Sequence, residues 1–202
     1  HPINKNQKTR AILKFFKWQI GSRLVPGDVI YPWIEDTKFI VSPGEHGLTQ
    51  NIYCGLQEFS EMAFVLHVCR DDDVFIDIGA NVGSYTILAC GVRKAKGYCF
   101  EPIPETFYRL KENLRLNGLL VKVKAFNIGL AEKNGELYFT NDENTNNHII
   151  IDKKEQFNTI PIKVMPLDEI LKDEFPTMMK IDVEGFETLV IDGASKTLQN
   201  PS

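Results

Sequence analysis

The motif DIGANVGSYT constrains the fold more than any other part of the chain. The apolar, β-branched run of residues 74–79 predicts a short buried strand that leads into it. Gly79 and Gly83 then predict a tight turn, and Ser84 is a residue type that caps the start of a helix, here residues 85–92. A strand that turns directly into a helix is a place where backbone N–H groups converge on a ligand.

Three further strands and two further helices show the same alternation. These strands are expected at residues 97–101, 121–128 and 177–182, and the helices at residues 104–117 and 187–198. Strands that alternate with helices predict βαβ units and an α/β fold with a mostly parallel sheet. Shorter runs predict a small antiparallel insertion, with strands at residues 136–140, 148–151 and 159–164.

Composition excludes several classes of protein. The chain has 202 residues, 43% of them hydrophobic, which is enough for one globular core. Its formal net charge of -4 gives no general footprint for nucleic acid. No apolar stretch reaches the roughly 20 residues of a spanning helix, so no transmembrane segment is expected. The 4 cysteines form no C-x-x-C pair, which predicts reduced thiols in a cytoplasmic protein.

The glycine turn itself restricts the ligand. Asn81 occupies the middle glycine position of the dinucleotide fingerprint G-x-G-x-x-G, and the Asp77 carboxylate disfavours a nearby pyrophosphate. Glu101 follows about 20 residues later, at the end of the next strand, where an acid accepts ribose hydroxyls. S-adenosylmethionine, with a nucleoside end and a cationic end, fits these groups. A nicotinamide-dependent oxidoreductase and a tight turn without ligand remain the alternatives.

Four segments in this order resemble one enzyme family. They are GLQEFSEM, FIDIGANVGSYT, FEPIPETFYRLKENLRLNG and MKIDVEGFETLVIDGA. The resemblance covers the chain from about Thr49 to its end. The segments resemble the FkbM-type methyltransferases. The resemblance implies a Rossmann-like (class I methyltransferase) sheet, S-adenosylmethionine as cofactor, and O-methylation of a hydroxyl on a small molecule such as a sugar or a polyketide. A cofactor-binding module without catalysis is a further alternative.

The resemblance also implies roles for individual residues. Around the methionine portion of the cofactor it implies Asp77, Gly79, Asn81, Gly83 and Ser84. It implies Glu101 at the ribose, Pro102 beside the adenine, Asn127 near the adenine edge and Glu58 on a segment that folds over the cofactor. Asp182 is implied to face the cofactor's amino end and the acceptor.

A hydroxyl acceptor must lose its proton, so a base within hydrogen-bond reach is expected. The candidates are Asp182, Glu184 and His148, the first two directly after the strand at residues 177–182. Glu184 could instead fix the loop before the last helix, and His148 could be a surface residue. Two carboxylates without a third ligand do not predict a metal site.

The chain is expected to differ from the family at both ends. Residues 1–48 form an N-terminal extension and residues 49–202 the methyltransferase core. The family fold continues with three more strands, so the C-terminal strands are expected to be missing and the strand at residues 177–182 to have an open edge. That edge or the N-terminal helix is expected to allow self-association.

The N-terminal extension contains a basic amphipathic helix. Ile12, Phe16 and Ile20 share one face at a spacing of four residues, with Leu13 beside them. Apolar stripes of this kind usually bury within their own fold, so this face is expected to dock on the domain or on a partner. Binding to an anionic membrane is the alternative.

Overall fold

The computed structural model describes residues 2, 5, 8–24, 27–42, 46–140, 149–150, 159–172 and 174–199. The helices are α1 (Lys8–Leu24), α2 (His46–Cys54), α3 (Phe59–Val68), α4 (Ser84–Thr86), α5 (Pro104–Leu116), α6 (Leu167–Leu171), α7 (Glu187–Asp192) and α8 (Ser195–Gln199). The strands are β1 (Val29–Pro32), β2 (Lys38–Val41), β3 (Val74–Ile78), β4 (Lys96–Phe100), β5 (Val123–Phe126), β6 (Gly129–Leu130), β7 (Gly135–Thr140), β8 (Ile149–Ile150), β9 (Thr159–Met165) and β10 (Met178–Ile181).

The centre of the fold is a four-stranded parallel sheet in the order β10-β3-β4-β5. Strand β3 is buried on both faces because helices cover both sides of the sheet. Phe75 packs with α3, α4 and α5, whereas Ile76 and Ile78 pack with α6 and α7. The predicted α/β fold with a mostly parallel sheet and flanking helices is confirmed.

The turn between β3 and α4 differs from the sequence prediction in how the helix begins. Gly83, with φ 97°, is the N-cap residue, and Ser84 is the first residue of the helix. The prediction of Ser84 as the cap is therefore wrong, because a left-handed glycine brings the chain into the helix. After Thr86 the helix continues as a π-helix, Ile87–Val92, whose residues are all buried.

The N-terminal segment packs on the same core as the helices above the sheet. Strands β1 and β2 form an antiparallel hairpin, and Phe39 and Val41 of β2 are almost fully buried. Asn113 of α5 joins this hairpin to the glycine turn. Its Oδ1 accepts the Ile40 N–H at 2.8 Å, and its Nδ2 donates to the Val82 carbonyl at 2.9 Å. The division at residue 48 therefore crosses a shared core, and it stays a prediction.

The insertion forms a second sheet in the order β6-β9-β7-β8. Strand β7 is antiparallel to β8 and β9, whereas β6 pairs with β9 in parallel. The predicted antiparallel insertion is therefore observed, with one short parallel addition.

The predicted helix at residues 187–198 is observed as two helices, α7 and α8. Gly193, between them, packs so closely that a Cβ built on it would lie 2.2 Å from the Ala131 carbonyl oxygen. The first helix ends at this glycine and the second begins at Ser195, so the prediction of one continuous helix is wrong.

Helix α1 docks through a different face from the one predicted. Trp18 and Ser22 are buried, and the Phe15 ring lies 5.1 Å from the Tyr53 ring of α2. The predicted docking residues instead face solvent, with exposed fractions of 56% for Ile12, 54% for Phe16 and 58% for Ile20. Docking of this face on the domain is therefore wrong, because α1 is apolar on two sides and periodicity alone does not select between them. Docking of this face on a partner stays a prediction.

Strand β10 lies at an edge of the parallel sheet within the described part of the chain. Its four residues are all half-buried, whereas four of the five residues of β3 are buried. The expectations of missing strands and of self-association through this edge stay predictions. Across the described ranges, no helix is both long and apolar enough to cross a lipid bilayer.

We expect Gly79→Ala to destabilise the protein far more than Gly118→Ala. Both glycines have left-handed backbones, with φ +72° and +67°. A Cβ at Gly79 would lie 1.9 Å from the Asp182 carbonyl oxygen, whereas one at Gly118 meets nothing within 4 Å. Gly118→Ala should lower the free energy of unfolding by about 1–2 kcal/mol, from backbone strain alone. Gly79→Ala should lower it by at least about 4 kcal/mol.

Urea unfolding of the two variants measures the difference. Equal losses would show that β10 does not approach Gly79 as closely as this geometry requires.

Candidate active site

A cavity of about 320 Å³ opens at the carboxyl ends of β3, β4 and β10, where ligands bind in parallel α/β sheets. Eight of the residues expected from the sequence line it: Glu58, Gly79, Asn81, Ser84, Glu101, Pro102, Asp182 and Glu184. Asp77, Gly83 and Asn127 are not among its lining residues. His148 lies outside the described residues.

The turn after β3 is held by backbone contacts from β4. The N–H groups of Gly79 and Ala80 both donate to the Phe100 carbonyl, at 3.0 and 2.9 Å. Asn81 has φ 50°, a left-handed conformation that asparagine tolerates better than most residues. Its Oδ1 accepts the Val82 N–H at 2.8 Å, which fixes the next step of the turn.

The Asp77 carboxylate lies behind this turn and is fully buried. Its Oδ2 accepts two hydrogen bonds from Thr86, one from the backbone N–H at 2.9 Å and one from the hydroxyl. Because Gly83 has no side chain to cap α4, Asp77 performs that task from the preceding strand. Its Oδ1 has no hydrogen-bond partner among the described residues and lies 3.7 Å from Lys180 Nζ.

The Glu101 carboxylate lies at the cavity and is 6% exposed. Its Oε2 accepts the Asn81 N–H at 2.9 Å, and its Oε1 accepts the Ile103 N–H at 3.0 Å. Burial raises the pKa of Glu101 to about 7, although both backbone hydrogen bonds oppose that shift. Each carboxylate oxygen has a further lone-pair site, so the group can accept two more hydrogen bonds.

Asn127 positions the chain beyond Glu101. Its Nδ2 donates to the backbone carbonyls of Glu101 and Pro102, both at 2.9 Å. Pro102 lines the cavity, whereas Asn127 holds the segment that carries it.

Lys180 is the most prominent site residue that sequence reasoning missed. Its Nζ donates to the Gly79 carbonyl at 2.9 Å and lies 3.2 Å from Asp182 Oδ2. The ammonium also lies 5.1 Å from the centre of the Tyr85 ring. Side chains two residues apart in a strand point to the same face of the sheet. The expected position of Asp182 at the site could therefore have identified Lys180 as a site residue as well.

The wall opposite the sheet comes from α2, α3 and α4. Asn51 is buried, accepts the Gln57 N–H at 2.8 Å and lies within 3.4 Å of Ser84 Oγ. The Tyr85 hydroxyl donates to Glu58 Oε2 at 2.8 Å. Burial and, after it, the Glu58 carboxylate raise the pKa of Tyr85, so the phenol stays protonated. Tyr85 was not singled out as a site residue from the sequence.

The loop after β10 carries Asp182 and Glu184 to the cavity. Glu184 and Gly185 have φ 48° and 100°, and a non-glycine residue held in the left-handed region is typical of functional loops. The loop is fixed by Glu187, whose Oε1 accepts the N–H groups of Val183 and Gly185 at 3.4 and 3.2 Å. Glu187 therefore fixes the loop, and the role of Glu184 stays a prediction.

The sequence matches the family described as the methyltransferase FkbM domain over residues 77–202. The chain belongs to this family. The match includes the glycine turn, Glu101 and the β10 loop, which all meet at the cavity. It confirms the resemblance to the FkbM-type methyltransferases seen in the sequence. It lends no support to the nicotinamide-dependent alternative.

Two curated relatives and one solved structure resemble this FkbM domain. Hexuronic acid methyltransferase AglP of Haloferax volcanii is 31% identical over 140 residues, 67% of this chain and 56% of that protein. The 2-O-methyltransferase NoeI of Sinorhizobium fredii is 28% identical over 149 residues, 64% of this chain and 60% of that protein. P. horikoshii TYW2 in complex with MeSAdo is 21% identical with a TM-score of 0.42, over 64% of this chain and 50% of that one.

The chain therefore spans less than two thirds of the length of the curated relatives. Within the described ranges of the FkbM domain, no group of three or more His, Cys, Asp and Glu side chains could hold a metal ion.

We expect Glu101 to make the protein less stable as pH rises. Its pKa is raised from the ordinary 4.5 to about 7 in the folded state, so the folded state binds more protons between these values. The free energy of unfolding should therefore fall by about 3 kcal/mol between pH 5 and pH 8 on this account. Glu101→Gln should lack this contribution, because the amide does not titrate.

Urea unfolding of both proteins at each pH gives the difference, from which all other titrating groups cancel. A difference between the two proteins that does not change with pH would contradict the raised pKa.

Proposed function

We propose that this FkbM domain binds S-adenosylmethionine in the cavity and transfers its methyl group to a hydroxyl of a small molecule. The observation that carries the proposal is Glu101, a buried acid at the end of β4 whose oxygens keep free lone-pair sites at the cavity. The relatives' names, a hexuronic acid methyltransferase and a 2-O-methyltransferase, favour a sugar hydroxyl as the acceptor.

The charges around the cavity fit the two ends of this cofactor. Glu101 would accept hydrogen bonds from the ribose hydroxyls, and Pro102 and Ile103 would border the adenine. Lys180 and Asp182, with an N–O distance of 3.2 Å, offer one positive and one negative group. The amino-acid end of the cofactor carries both charges, so the pair complements it. Asp77, Gly83 and Asn127 would act on the cofactor through the backbone that they hold.

The acceptor would enter from the side of the insertion sheet. Leu137, Val164 and Phe186 line that part of the cavity and give it an apolar surface. The cofactor supplies a methyl group on a sulfonium, so the protein's main task is to hold the acceptor oxygen in line with it. A volume of about 320 Å³ falls within the range of small-molecule sites.

Among the candidate bases, we favour Glu184. Asp182 is paired with Lys180, whereas Glu184 has no ion-pair partner in the part of the chain that the structure describes. Asp182 would then position the cofactor, and Glu184 would accept the proton of the acceptor hydroxyl. His148 is the remaining candidate.

The remaining proposals concern the cellular compartment of the protein and its partners. We propose a cytoplasmic protein whose partner is a hydroxylated small molecule and not a nucleic acid. Four free cysteines, three of them buried, are typical of a reducing compartment. Self-association through the edge of β10 is a further proposal, supported by the position of that strand at the edge of the parallel sheet in the described part of the chain.

We expect S-adenosylhomocysteine to bind more tightly as pH rises, because the ribose hydroxyls donate to the ionised carboxylate. With a pKa of about 7 for Glu101, affinity should rise up to about tenfold between pH 6 and pH 8. Glu101→Gln should lose about 1.5–3 kcal/mol of binding free energy, and with it the pH dependence.

Titration calorimetry in buffers of different ionisation enthalpy measures affinity and proton release together. Glu105→Gln, at an exposed acid of α5, is the matched control and should bind as the wild type does. A Glu101→Gln variant with unchanged affinity would remove this residue from the ribose.

We expect Glu184→Gln to separate rate from binding. The variant should keep its affinity for S-adenosylhomocysteine within a few-fold and lose roughly a hundredfold in kcat. Asp182→Asn should weaken cofactor binding as well, because it removes the charge beside Lys180.

Hexuronic acids and other sugars form the first acceptor panel, with release of S-adenosylhomocysteine as the readout. Asp192→Asn, at an exposed acid of α7, is the control. If Glu184→Gln turns over normally and His148→Ala does not, the base is His148. Cofactor binding without turnover of any acceptor would favour a non-catalytic module.

A further inference from the structure

Helix α1 has an exposed apolar face that its docking on α2 leaves uncovered. Ile12, Phe16, Ile20 and Leu24 follow one another at a spacing of four residues and are 54–76% exposed. Leu13, beside them, is 68% exposed. At 1.5 Å per residue this face is about 18 Å long. An apolar face of this length marks an interaction surface.

The opposite side of α1 is already engaged by the domain. Trp18 is buried, its ring lying 6.0 Å from the Tyr31 ring of β1, and Gln19 Nε2 donates to the Tyr53 hydroxyl at 2.7 Å. The helix is therefore fixed to the domain through these contacts, and the exposed face is held outward as a preformed surface.

The charged residues of the segment that contains α1 are all basic. The first 27 residues contain six basic and no acidic residues: Lys5, Lys8, Arg10, Lys14, Lys17 and Arg23. The remaining residues contain 17 basic and 27 acidic side chains, so this end carries a net positive charge and the rest of the chain a net negative one. Lys17 and Arg23 are both exposed, four residues after Leu13 and three after Ile20, which places them beside the apolar side chains.

We propose that α1 binds the protein to the surface of an anionic lipid bilayer. The apolar side chains would enter the boundary between headgroups and acyl chains, and the lysine and arginine side chains would contact the anionic headgroups. A second copy of this chain fits the surface less well, because it would bring six more positive charges against it. The bound helix would lie parallel to the membrane, and it would not span the bilayer.

This surface is separate from the cavity, but one helix, α2, connects the two. Helix α1 packs on α2, and Asn51 of α2 lines the cavity. The proposal does not depend on methyl transfer, so a failure of either leaves the other standing.

Flotation with lipid vesicles tests the proposal on the 202-residue chain. The protein should bind vesicles of equal parts phosphatidylcholine and phosphatidylglycerol, and binding should fall as salt is raised. Binding to vesicles of phosphatidylcholine alone should be weaker by about tenfold or more.

Two double variants separate the apolar and the electrostatic contributions. Phe16→Ser with Ile20→Ser, and Lys17→Glu with Arg23→Glu, should each reduce binding to anionic vesicles about tenfold or more. All four side chains are exposed, so the variants should fold and melt as the wild type does. Val121→Ser and Lys163→Glu, at exposed residues elsewhere, are the matched controls and should bind normally.

Three results would overturn the proposal. One is a folded wild-type protein that does not bind anionic vesicles. Another is a set of α1 variants that bind as well as the controls. The third is sedimentation equilibrium showing a dimer that Phe16→Ser with Ile20→Ser dissociates, which would assign the face to a second copy.

Discussion

The buried carboxylate of Asp77 is the interaction on which the arrangement at the carboxyl end of the sheet depends. A charge taken out of water must be matched by hydrogen bonds and an opposite charge, or the fold loses several kcal/mol. Thr86 supplies both hydrogen bonds to Oδ2, and Lys180 supplies the opposite charge. One side chain of β3 thus fixes the start of α4 and the orientation of a lysine on β10. The glycine turn lies between these attachments, so its shape follows from them.

Two acids therefore hold the same turn and have different relations to the cavity. Asp77 holds it from behind, through Thr86, and is not among the cavity-lining residues. Glu101 holds it from β4, through the Asn81 N–H, and its carboxylate lies at the cavity. Near Asp77, Gly79 allows the end of β10 to approach within van der Waals distance, which brings Asp182 beside the turn. The residues that shape the site are thus distinct from those that a ligand would touch.

The local elements could be predicted from the sequence, whereas the relations between them could not. Apolar runs, Pro104 and the glycines are local signals, and they gave the strands, α5 and the turn close to where they are observed. The direction of Asp77 was not predictable, because β3 is buried on both faces and alternation between polar and apolar residues is lost. Lys180 was missed because its partner, Asp77, is set by the β10–β3 register, a contact between residues 103 apart. To predict which face of α1 docks on the domain would have required the same kind of non-local information.

The raised pKa of Glu101 shows how the site is prepared before a ligand arrives. Burial disfavours the ionised carboxylate, and two backbone N–H groups recover only part of the lost hydration, so the pKa rises to about 7. The free-energy cost is present in the folded protein, because the fold keeps the acid out of water. Ribose hydroxyls would donate to the remaining lone pairs, stabilise the charged form and lower that cost. An acid placed in this way would gain most from a ligand that supplies two donors together, so the destabilised carboxylate would favour a diol such as the ribose of the proposed cofactor.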